Sequence, residues 1–288
     1  MPSLDAKKFM QLNQYHNLLY KRLKSIIEEK ELEEYFFWLI KHYCKIDRLN
    51  YALNPSRRIL SDDLDKLIHA IDKLEKKMPI QYVIGQTEFM SLKFHLNSYV
   101  LIPRPETEEL VSWVLESKIE NKSVLDIGTG SGCIAISLSK YGNPFKVSGW
   151  DIKKKIIKIA NSNAAINNVK IDFSINDINN LKTKLKFDVI VSNPPYICDY
   201  EKKYMESNVL NYEPHDSLFV NSDDPIHNYR KIIEFAKKKL NPNGLIFFEI
   251  NEKFGKNISI LLKEKGFRDI QLRKDFRKKT RMVKGIIK

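Results

Sequence analysis

The chain has 288 residues, of which 43% are hydrophobic and 11% aromatic, so it can form a sizeable core and is not a disordered protein. Its formal net charge of +13 indicates either an anionic partner, such as a nucleic acid, or a general drift toward lysine. Three cysteines lie far apart and form no CxxC pair, so we expect no disulfide framework, no metal site and a reducing cytoplasm. Neither a signal peptide nor an apolar run of about 20 residues is present, so we expect no membrane segment.

The N-terminal part, residues 1–80, is predicted to form a small helical bundle. Apolar residues recur at helical spacing within residues 18–27, 32–40 and 64–74. Ser61 is a candidate N-cap of the third helix, followed by an acidic first turn. Residues 81–100 alternate more like strands, with Gly85 as a turn, and predict a β-hairpin linker.

From residue 101 to residue 288 the pattern predicts an α/β domain. Apolar runs alternate with helical segments, which is the βαβ rhythm of a Rossmann-like, mostly parallel sheet. The two last runs are too close together for a helix between them, so we expect a C-terminal antiparallel hairpin. The predicted strands are residues 123–127, 145–150, 171–175, 187–191 and 245–250, followed by 267–276 and 281–287.

A glycine-rich loop follows the first of these strands and opens a helix. It contains Gly128, Thr129, Gly130, Ser131 and Gly132. Glycines allow a sharp turn and a close approach to a ligand, and the helix start offers free N–H groups. Such a loop binds either a phosphate or the amino-acid end of S-adenosylmethionine.

Acidic residues at three strand ends favour S-adenosylmethionine over a dinucleotide. Asp126 precedes the loop, where it would repel a pyrophosphate but attract an ammonium group. The glycine spacing is also G-x-G-x-G rather than G-x-G-x-x-G. We expect Asp151 to bind the ribose hydroxyls and Asp177 to bind the adenine amino group, with Ile178 packing on the ring.

The fourth strand runs into Asn193-Pro194-Pro195-Tyr196, which predicts the chemistry. The Asn193 side-chain carbonyl and the Pro194 main-chain carbonyl can each accept one N–H of a planar NH₂ group. Such contacts direct the nitrogen lone pair at a methyl carbon and strengthen as positive charge develops. Pro195 helps to keep the segment rigid, and Tyr196 offers a ring face for a flat amide or base.

This motif resembles that of methyltransferases acting on planar nitrogens, and the flanking segments resemble the release factor glutamine methyltransferases. The resemblance covers residue 79 to the C-terminus, and a helical N-terminal domain agrees with it in kind. Ile178 departs from the family, which often has an aromatic residue there. The segments that carry the resemblance are residues 79–85, 88–89, 101–108, 212–214, 218–219, 248–250, 266–267 and 274–276.

The resemblance implies methylation of the glutamine side-chain nitrogen (N5) in the Gly-Gly-Gln motif of class 1 peptide chain release factors. It implies donor contacts at Gly128–Gly132, Asp151, Ile178 and Asn193, and substrate contacts at residues 193–196. The expected partner is the release factor, direct nucleic-acid binding is not required, and we expect a monomer. Two alternatives stay open: a DNA or RNA amino methyltransferase, favoured by the basic charge, and a binding module without catalytic activity.

Three further residues are weaker candidates. Arg104 and Glu106 flank a proline at the start of the α/β domain. They either line the cofactor pocket, orient the substrate loop or serve an ordinary helix start. Glu213 is a candidate for positioning the substrate backbone.

Overall fold

The computed structural model describes residues 9–117, 122–142, 146–179 and 183–288, which fall into two compact units. The first unit comprises the described residues up to Gly85 together with Ser207–Tyr212. The second unit comprises Gln86–Glu206 and Glu213–Lys288. The division between Gly85 and Gln86 lies inside the segment 81–100 that the sequence indicates as a linker.

The first unit is helical, as its periodicity predicts. Leu19, Phe36 and Leu67 come from three different helices and are fully buried in one core. The short third helix is absent from the sequence-based prediction, because six residues are too few to show a helical period and none of them is buried. The helices are α1 (Leu12–Leu23), α2 (Glu29–Cys44), α3 (Arg48–Leu53), α4 (Ser61–Glu75) and α5 (Ile80–Ile84).

Two local expectations for residues 60–100 were wrong. Leu60, not Ser61, is the N-cap of α4, because its carbonyl accepts the first helical hydrogen bond, from Leu64 N–H at 2.8 Å. Residues 80–84 form α5 rather than a strand, since Ile80 and Val83 lie three apart and are both buried in the helical core.

The hairpin is therefore shorter than predicted. Gly85 ends α5 in a left-handed conformation with φ of 75° and is not the hairpin turn. The strands β1 (Gln86–Phe89) and β2 (Leu92–His95) pair in antiparallel fashion around Met90 and Ser91, which both have positive φ. Two such residues in succession give the twist that a two-residue hairpin turn requires.

The rest of the chain alternates strands and helices. The elements that follow the hairpin are α6 (Pro105–Glu116), β3 (Ser123–Ile127), α7 (Cys133–Tyr141), β4 (Lys146–Asp151), α8 (Lys154–Ile166), β5 (Asp172–Ile175), β6 (Phe187–Ser192), β7 (Ile197–Cys198), α9 (Ser207–Tyr212), β8 (Phe219–Val220), α10 (His227–Lys239), β9 (Leu240–Glu249), α11 (Gly255–Glu264), β10 (Phe267–Lys274) and β11 (Thr280–Ile287). All of them except α9 belong to the second unit.

The second unit contains a seven-stranded sheet with the order β10-β11-β9-β6-β3-β4-β5. The strands from β9 to β5 are parallel, and the C-terminal hairpin β10–β11 adds to β9 in antiparallel fashion.

Both faces of this sheet are covered, which explains the continuous apolar runs. Val124 belongs to the core beneath α6, α7 and α8, whereas its neighbour Leu125 belongs to the core beneath α10 and α11. Phe247 and Phe248 divide in the same way. Each predicted strand is present, but β9 begins earlier, at Leu240, β5 begins one residue later, at Asp172, and β10 ends two residues earlier, at Lys274. Phe145 lies outside the described residues.

No helix within the described ranges is long and apolar enough to cross a membrane.

Candidate active site

The glycine loop joins β3 to α7 at the carboxyl edge of the parallel strands. Gly128, Gly130 and Gly132 have φ of 75°, 55° and 84°, values that residues with a Cβ adopt only under strain. Gly128 and Thr129 donate their N–H groups to the Trp150 carbonyl at 2.9 and 3.0 Å, which ties the loop to β4. A Cβ on Gly128 would meet no atom of the described chain within 4 Å. The loop is therefore held in place by β4 and leaves space beside Gly128 for a ligand.

Asp126 lies in β3 just before this loop and is fully buried. Thr129 donates its hydroxyl hydrogen to Asp126 Oδ2 at 2.7 Å, while Oδ1 has no partner among the described residues. Burial raises the pKa of the Asp126 carboxyl group to about 7. An unpaired buried acceptor costs about 1–3 kcal/mol, a cost that a cationic donor removes. The carboxyl group therefore suits an ammonium ligand.

Asp151 ends β4 beside the loop, because Ile127 and Trp150 pair in the parallel ladder. Its Oδ2 accepts from Gly130 N–H at 3.2 Å, and its Oδ1 accepts from Lys153 N–H at 3.3 Å. Burial raises the pKa of this carboxyl group above its ordinary value. Each carboxylate oxygen keeps a second lone-pair direction for a hydroxyl donor.

Asp177 and Ile178 lie beyond the end of β5. Asp177 is exposed, and its Oδ1 accepts from Asn179 N–H at 2.9 Å and from the Asn179 side chain at 2.6 Å. Ile178 is partly buried against the core beneath α10. Ile152, which follows Asp151, is 64% exposed and was not singled out from the sequence. The signal in the sequence was an apolar residue directly after a strand-end acid.

The Asn193–Tyr196 tip emerges next to the glycine loop. Ser192 pairs with Ile127 in the ladder between β6 and β3, and its hydroxyl donates to the Ile127 carbonyl at 2.7 Å. Gly128, which follows β3, and Asn193, which follows β6, therefore lie next to each other. This adjacency follows from the sheet order, since β3 and β6 are neighbours.

The acceptors of this tip face no other donor. Asn193 Nδ2 donates to Thr107 Oγ1 at 3.2 Å, but neither Asn193 Oδ1 nor the Pro194 carbonyl accepts a hydrogen bond from the described residues. The neighbouring Pro195 carbonyl, in contrast, accepts from Asn228 Nδ2 at 3.1 Å. The tip thus presents two carbonyl oxygens that accept no hydrogen bond from the described residues and are free to accept one from a ligand.

Tyr196 is anchored to the core and is not a freely exposed stacking residue. Its hydroxyl donates to Glu249 Oε1 at 2.9 Å, and its ring packs against the core beneath α10. Burial, followed by the negative charge of Glu249, raises the pKa of the Tyr196 phenol well above its ordinary value. The ring is therefore fixed in place and stays protonated.

Two residues near the tip were not predicted as site residues, namely Thr107 and Glu249. Both side chains are almost completely buried, and Thr107 Oγ1 donates to Glu249 Oε2 at 2.6 Å. Burial raises the pKa of the Glu249 carboxyl group, opposed by its hydroxyl donors. An acidic residue at the end of an apolar strand was the signal for Glu249, whereas Thr107 is one polar residue in an amphipathic helix and gave none.

Two of the weaker candidates, Arg104 and Glu213, form an ion pair with each other. Arg104 Nη2 donates to Glu213 Oε1 at 2.6 Å, and Ile102 N–H donates to Glu213 Oε2 at 3.4 Å. This ion pair joins the segment before α6 to the segment that follows α9. Glu106 lies in the first turn of α6 behind Pro105, which favours the ordinary helix-start role.

Two family models match the chain. The model described as "Methyltransferase small domain" matches residues 106–211, and the one described as "PrmC N-terminal domain" matches residues 14–85. A release factor glutamine methyltransferase of Flavobacterium psychrophilum is 40% identical over 96% of this chain and 99% of its own length. The protein of the same description from Bacteroides thetaiotaomicron is 34% identical over 94% of this chain and 99% of its own length.

Solved structures share the fold of this chain. A methyltransferase from Pyrococcus furiosus superposes with a TM-score of 0.51 at 19% identity, covering 79% of this chain and 98% of its own. A T. thermophilus 16S rRNA N2 G1207 methyltransferase, in complex with AdoMet and guanosine, gives a TM-score of 0.50 at 17% identity. That likeness covers 70% of this chain and 50% of the other. At this level of identity the likeness describes the fold alone.

Proposed function

The chain belongs to the release factor glutamine methyltransferase family, and we propose that it methylates a glutamine side-chain nitrogen of a release factor, with S-adenosylmethionine as donor. The proposed target is the N5 nitrogen of the glutamine in the Gly-Gly-Gln motif of class 1 release factors. The observation that carries this proposal is the pairing of Ser192 with Ile127, because it sets a rigid amide-binding tip beside the glycine loop.

The residues along the carboxyl edge of the sheet suit S-adenosylmethionine. When bound, this cofactor supplies an electrophilic methyl group on its sulfonium. We propose that the unpaired Oδ1 of Asp126 meets the ammonium group and that residues 128–132 surround the amino-acid end. Asp151 accepts from the ribose hydroxyls in this proposal, and Asp177 binds the adenine amino group. In this proposal, Ile178 and Ile152 pack against the two faces of the adenine ring.

The two unsatisfied carbonyls of the tip suit a planar NH₂ group. Asn193 Oδ1 and the Pro194 carbonyl each accept one N–H of the glutamine, which fixes the nitrogen and turns its lone pair toward the cofactor side. Both acceptors bind more strongly as the nitrogen becomes positive, so they act selectively in the transition state. Pro195 and Tyr196 keep the tip rigid, and the part of the Tyr196 ring that is not buried in the core covers the flat amide in this proposal. No strong base is needed, since the nitrogen becomes acidic once it is methylated.

Cofactor affinity is expected to depend on the protonation of Asp126. Because the pKa of this carboxyl group is about 7, lowering the pH from 7 to 6 protonates it and removes its attraction for an ammonium group. The cofactor ammonium stays protonated over that range, so we expect the Kd of S-adenosylmethionine to rise about fivefold by calorimetry. Asp126→Asn should bind more weakly at pH 7 and lose this dependence. An equal pH dependence in the variant would contradict the role of Asp126.

The proposed N-terminal helical domain ends at Gly85 rather than at residue 80, because α5 packs in its core. The rest of the segment up to residue 100 is the proposed linker, and residues 101–288 are the proposed methyltransferase domain. Every residue proposed for the site belongs to one compact unit of one chain, which supports a monomeric enzyme. The cytoplasm, where release factors act, is the proposed location, and the three free cysteines agree with it.

The proposal is tested by offering the enzyme several substrates at once. Purified release factor, tRNA and ribosomal RNA are incubated with enzyme and labelled S-adenosylmethionine, and the products are separated and analysed by mass spectrometry. We expect label on the Gly-Gly-Gln glutamine. A release factor in which that glutamine is replaced by alanine is the matched control and should stay unlabelled.

The other outcomes identify the alternatives. Label in RNA rather than protein would favour the amino methyltransferase of nucleic acids, which the net charge of +13 supports. Label in neither substrate, together with no cofactor binding by calorimetry, would indicate a non-catalytic module.

A further inference from the structure

A continuous chain of hydrogen bonds lies behind the tip. Asn193 Nδ2 donates to Thr107 Oγ1 at 3.2 Å, and Thr107 Oγ1 donates to Glu249 Oε2 at 2.6 Å. On the other side, the Tyr196 hydroxyl donates to Glu249 Oε1 at 2.9 Å. Three elements meet here, since Thr107 lies in the first turn of α6 and Glu249 ends β9. Both ends of the tip motif are thus tied to one carboxylate.

The direction of these hydrogen bonds determines which atom of Asn193 faces the substrate. An ionised carboxylate can only accept, so it requires the Thr107 hydroxyl to donate its single hydrogen. The Thr107 oxygen is then left as an acceptor, and it must receive the NH₂ group of Asn193. The remaining amide atom, Oδ1, is consequently turned outward. A reversed Asn193 would present two donors to the NH₂ of glutamine, which also donates.

Neighbouring groups hold Glu249 in place within this chain of hydrogen bonds. Its carboxyl group is buried, and it faces Arg281 on β11, Glu106 on α6 and the phenol of Tyr196. Burial raises the pKa of the Glu249 carboxyl group, whereas its two hydroxyl donors and the Arg281 guanidinium favour the ionised carboxylate. Arg281 is itself held by Asp275 and by the Ile250 carbonyl. The Tyr229 hydroxyl donates to the Glu249 main-chain carbonyl at 3.0 Å. Side chain and backbone of Glu249 are therefore both secured.

We propose that Thr107 and Glu249 are positioning residues that set the amide orientation of Asn193, so that its oxygen rather than its NH₂ group faces the target nitrogen. The inference rests on the proposed function, because it concerns how that target is held. Neither residue touches the substrate in this account. They exclude the reversed orientation of the Asn193 side-chain amide, so the acceptor oxygen already faces the target nitrogen at each turnover.

Thr107→Val tests the proposal, because it keeps the shape of the side chain and removes the hydroxyl. We expect kcat for release factor methylation to fall about 30-fold, with the KM of the release factor changed less than about threefold. Thr107→Ser restores the hydroxyl and should recover kcat to within about threefold. Ser137→Ala is the matched control, since Ser137 is a buried hydroxyl without a hydrogen-bond partner in the described chain. Its kcat should equal that of the wild type.

A double-mutant cycle separates a shared chain from two independent effects. Glu249→Met removes both acceptor oxygens at a similar side-chain length, so the Thr107 hydroxyl no longer has a carboxylate to which it must donate. We expect Glu249→Met to lower kcat about as much as Thr107→Val, and the double variant to be little worse than either single variant. Losses that multiply in the double variant would overturn the shared chain.

A direct readout does not depend on methylation. In ¹⁵N-labelled protein, the side-chain NH₂ resonances of Asn193 are identified by their loss in Asn193→Asp. We expect the hydrogen that Asn193 Nδ2 donates to Thr107 Oγ1 to be protected from solvent exchange in the wild type and Thr107→Ser, and unprotected in Thr107→Val. Equal protection in Thr107→Val, or a kcat within threefold of the wild type in a folded, cofactor-binding variant, would overturn the inference. If the wild type fails to methylate release factor, only the proposed function fails, because the exchange measurement still decides the orientation.

Discussion

Asn193→Ala is expected to reduce kcat about 10³-fold while the Kd of S-adenosylmethionine changes less than about threefold. The variant loses the Oδ1 acceptor, which no described residue occupies and which we assign to the target N–H. Without it the amide nitrogen is held by the Pro194 carbonyl alone and rotates about that single bond. The cofactor contacts proposed for Asp126 and Asp151 are unaffected, so donor binding persists.

Single-turnover kinetics and calorimetry measure the two effects separately. Asn161→Ala is a suitable control, because Asn161 is an exposed asparagine on α8 whose side chain donates to the Ile157 carbonyl of its own helix. Its kcat and Kd should match those of the wild type. Loss of cofactor affinity in Asn193→Ala with unchanged turnover would contradict the role that we give to the tip.

Asp151→Ala should raise the Kd of S-adenosylmethionine about 10²-fold. A hydrogen bond to a charged acceptor contributes about 1.5–3 kcal/mol, and the ribose diol is proposed to form two of them. The substitution also removes the acceptor that holds Gly130 N–H at 3.2 Å, so the glycine loop loses one of its anchors. Both effects weaken binding, and at saturating cofactor kcat should fall much less than affinity.

Isothermal calorimetry at pH 8 measures this change while the Asp126 carboxylate is largely ionised. Asp172→Ala is the control, since Asp172 is an exposed carboxylate at the start of the neighbouring strand β5. Asp151→Asn keeps one acceptor oxygen and should lie between the wild type and the alanine variant. An alanine variant that binds S-adenosylmethionine as tightly as the wild type would exclude Asp151 from the cofactor site.

The order of elements in the second unit could be predicted from the sequence because local patterns carry it. Strands buried on both faces read as continuous apolar runs, as in residues 123–127 and 187–191, and helices between them keep a different period. Parallel strands end at one edge, so the glycine loop and the Asn193 motif had to lie at the same edge. The residue types of that motif indicate its chemistry, since an asparagine and a proline supply two carbonyl acceptors.

The segment 80–95 shows where local pattern fails. Ile80 and Val83 are too few to distinguish a helical turn from a strand, and burial in the helical core decided for the helix. Gly85 allows either structure, since its left-handed conformation serves a hairpin turn as well as a helix end. The residues of the segment allow both a helix and a strand, and packing against the other helices of the first unit selects the helix.

The amino-acid sequence by itself determined the fold class, the glycine loop, the acids at the strand ends and the tip that we assign to amide binding. Only the tertiary structure decided what stands behind that tip, because Thr107 and Glu249 are 142 residues apart in the chain. They meet since β9 lies next to β6 and α6 packs across the end of β9, an arrangement that no local periodicity encodes. A hydrogen bond between distant residues depends on the sheet order, and the sheet order depends on the packing of the whole unit.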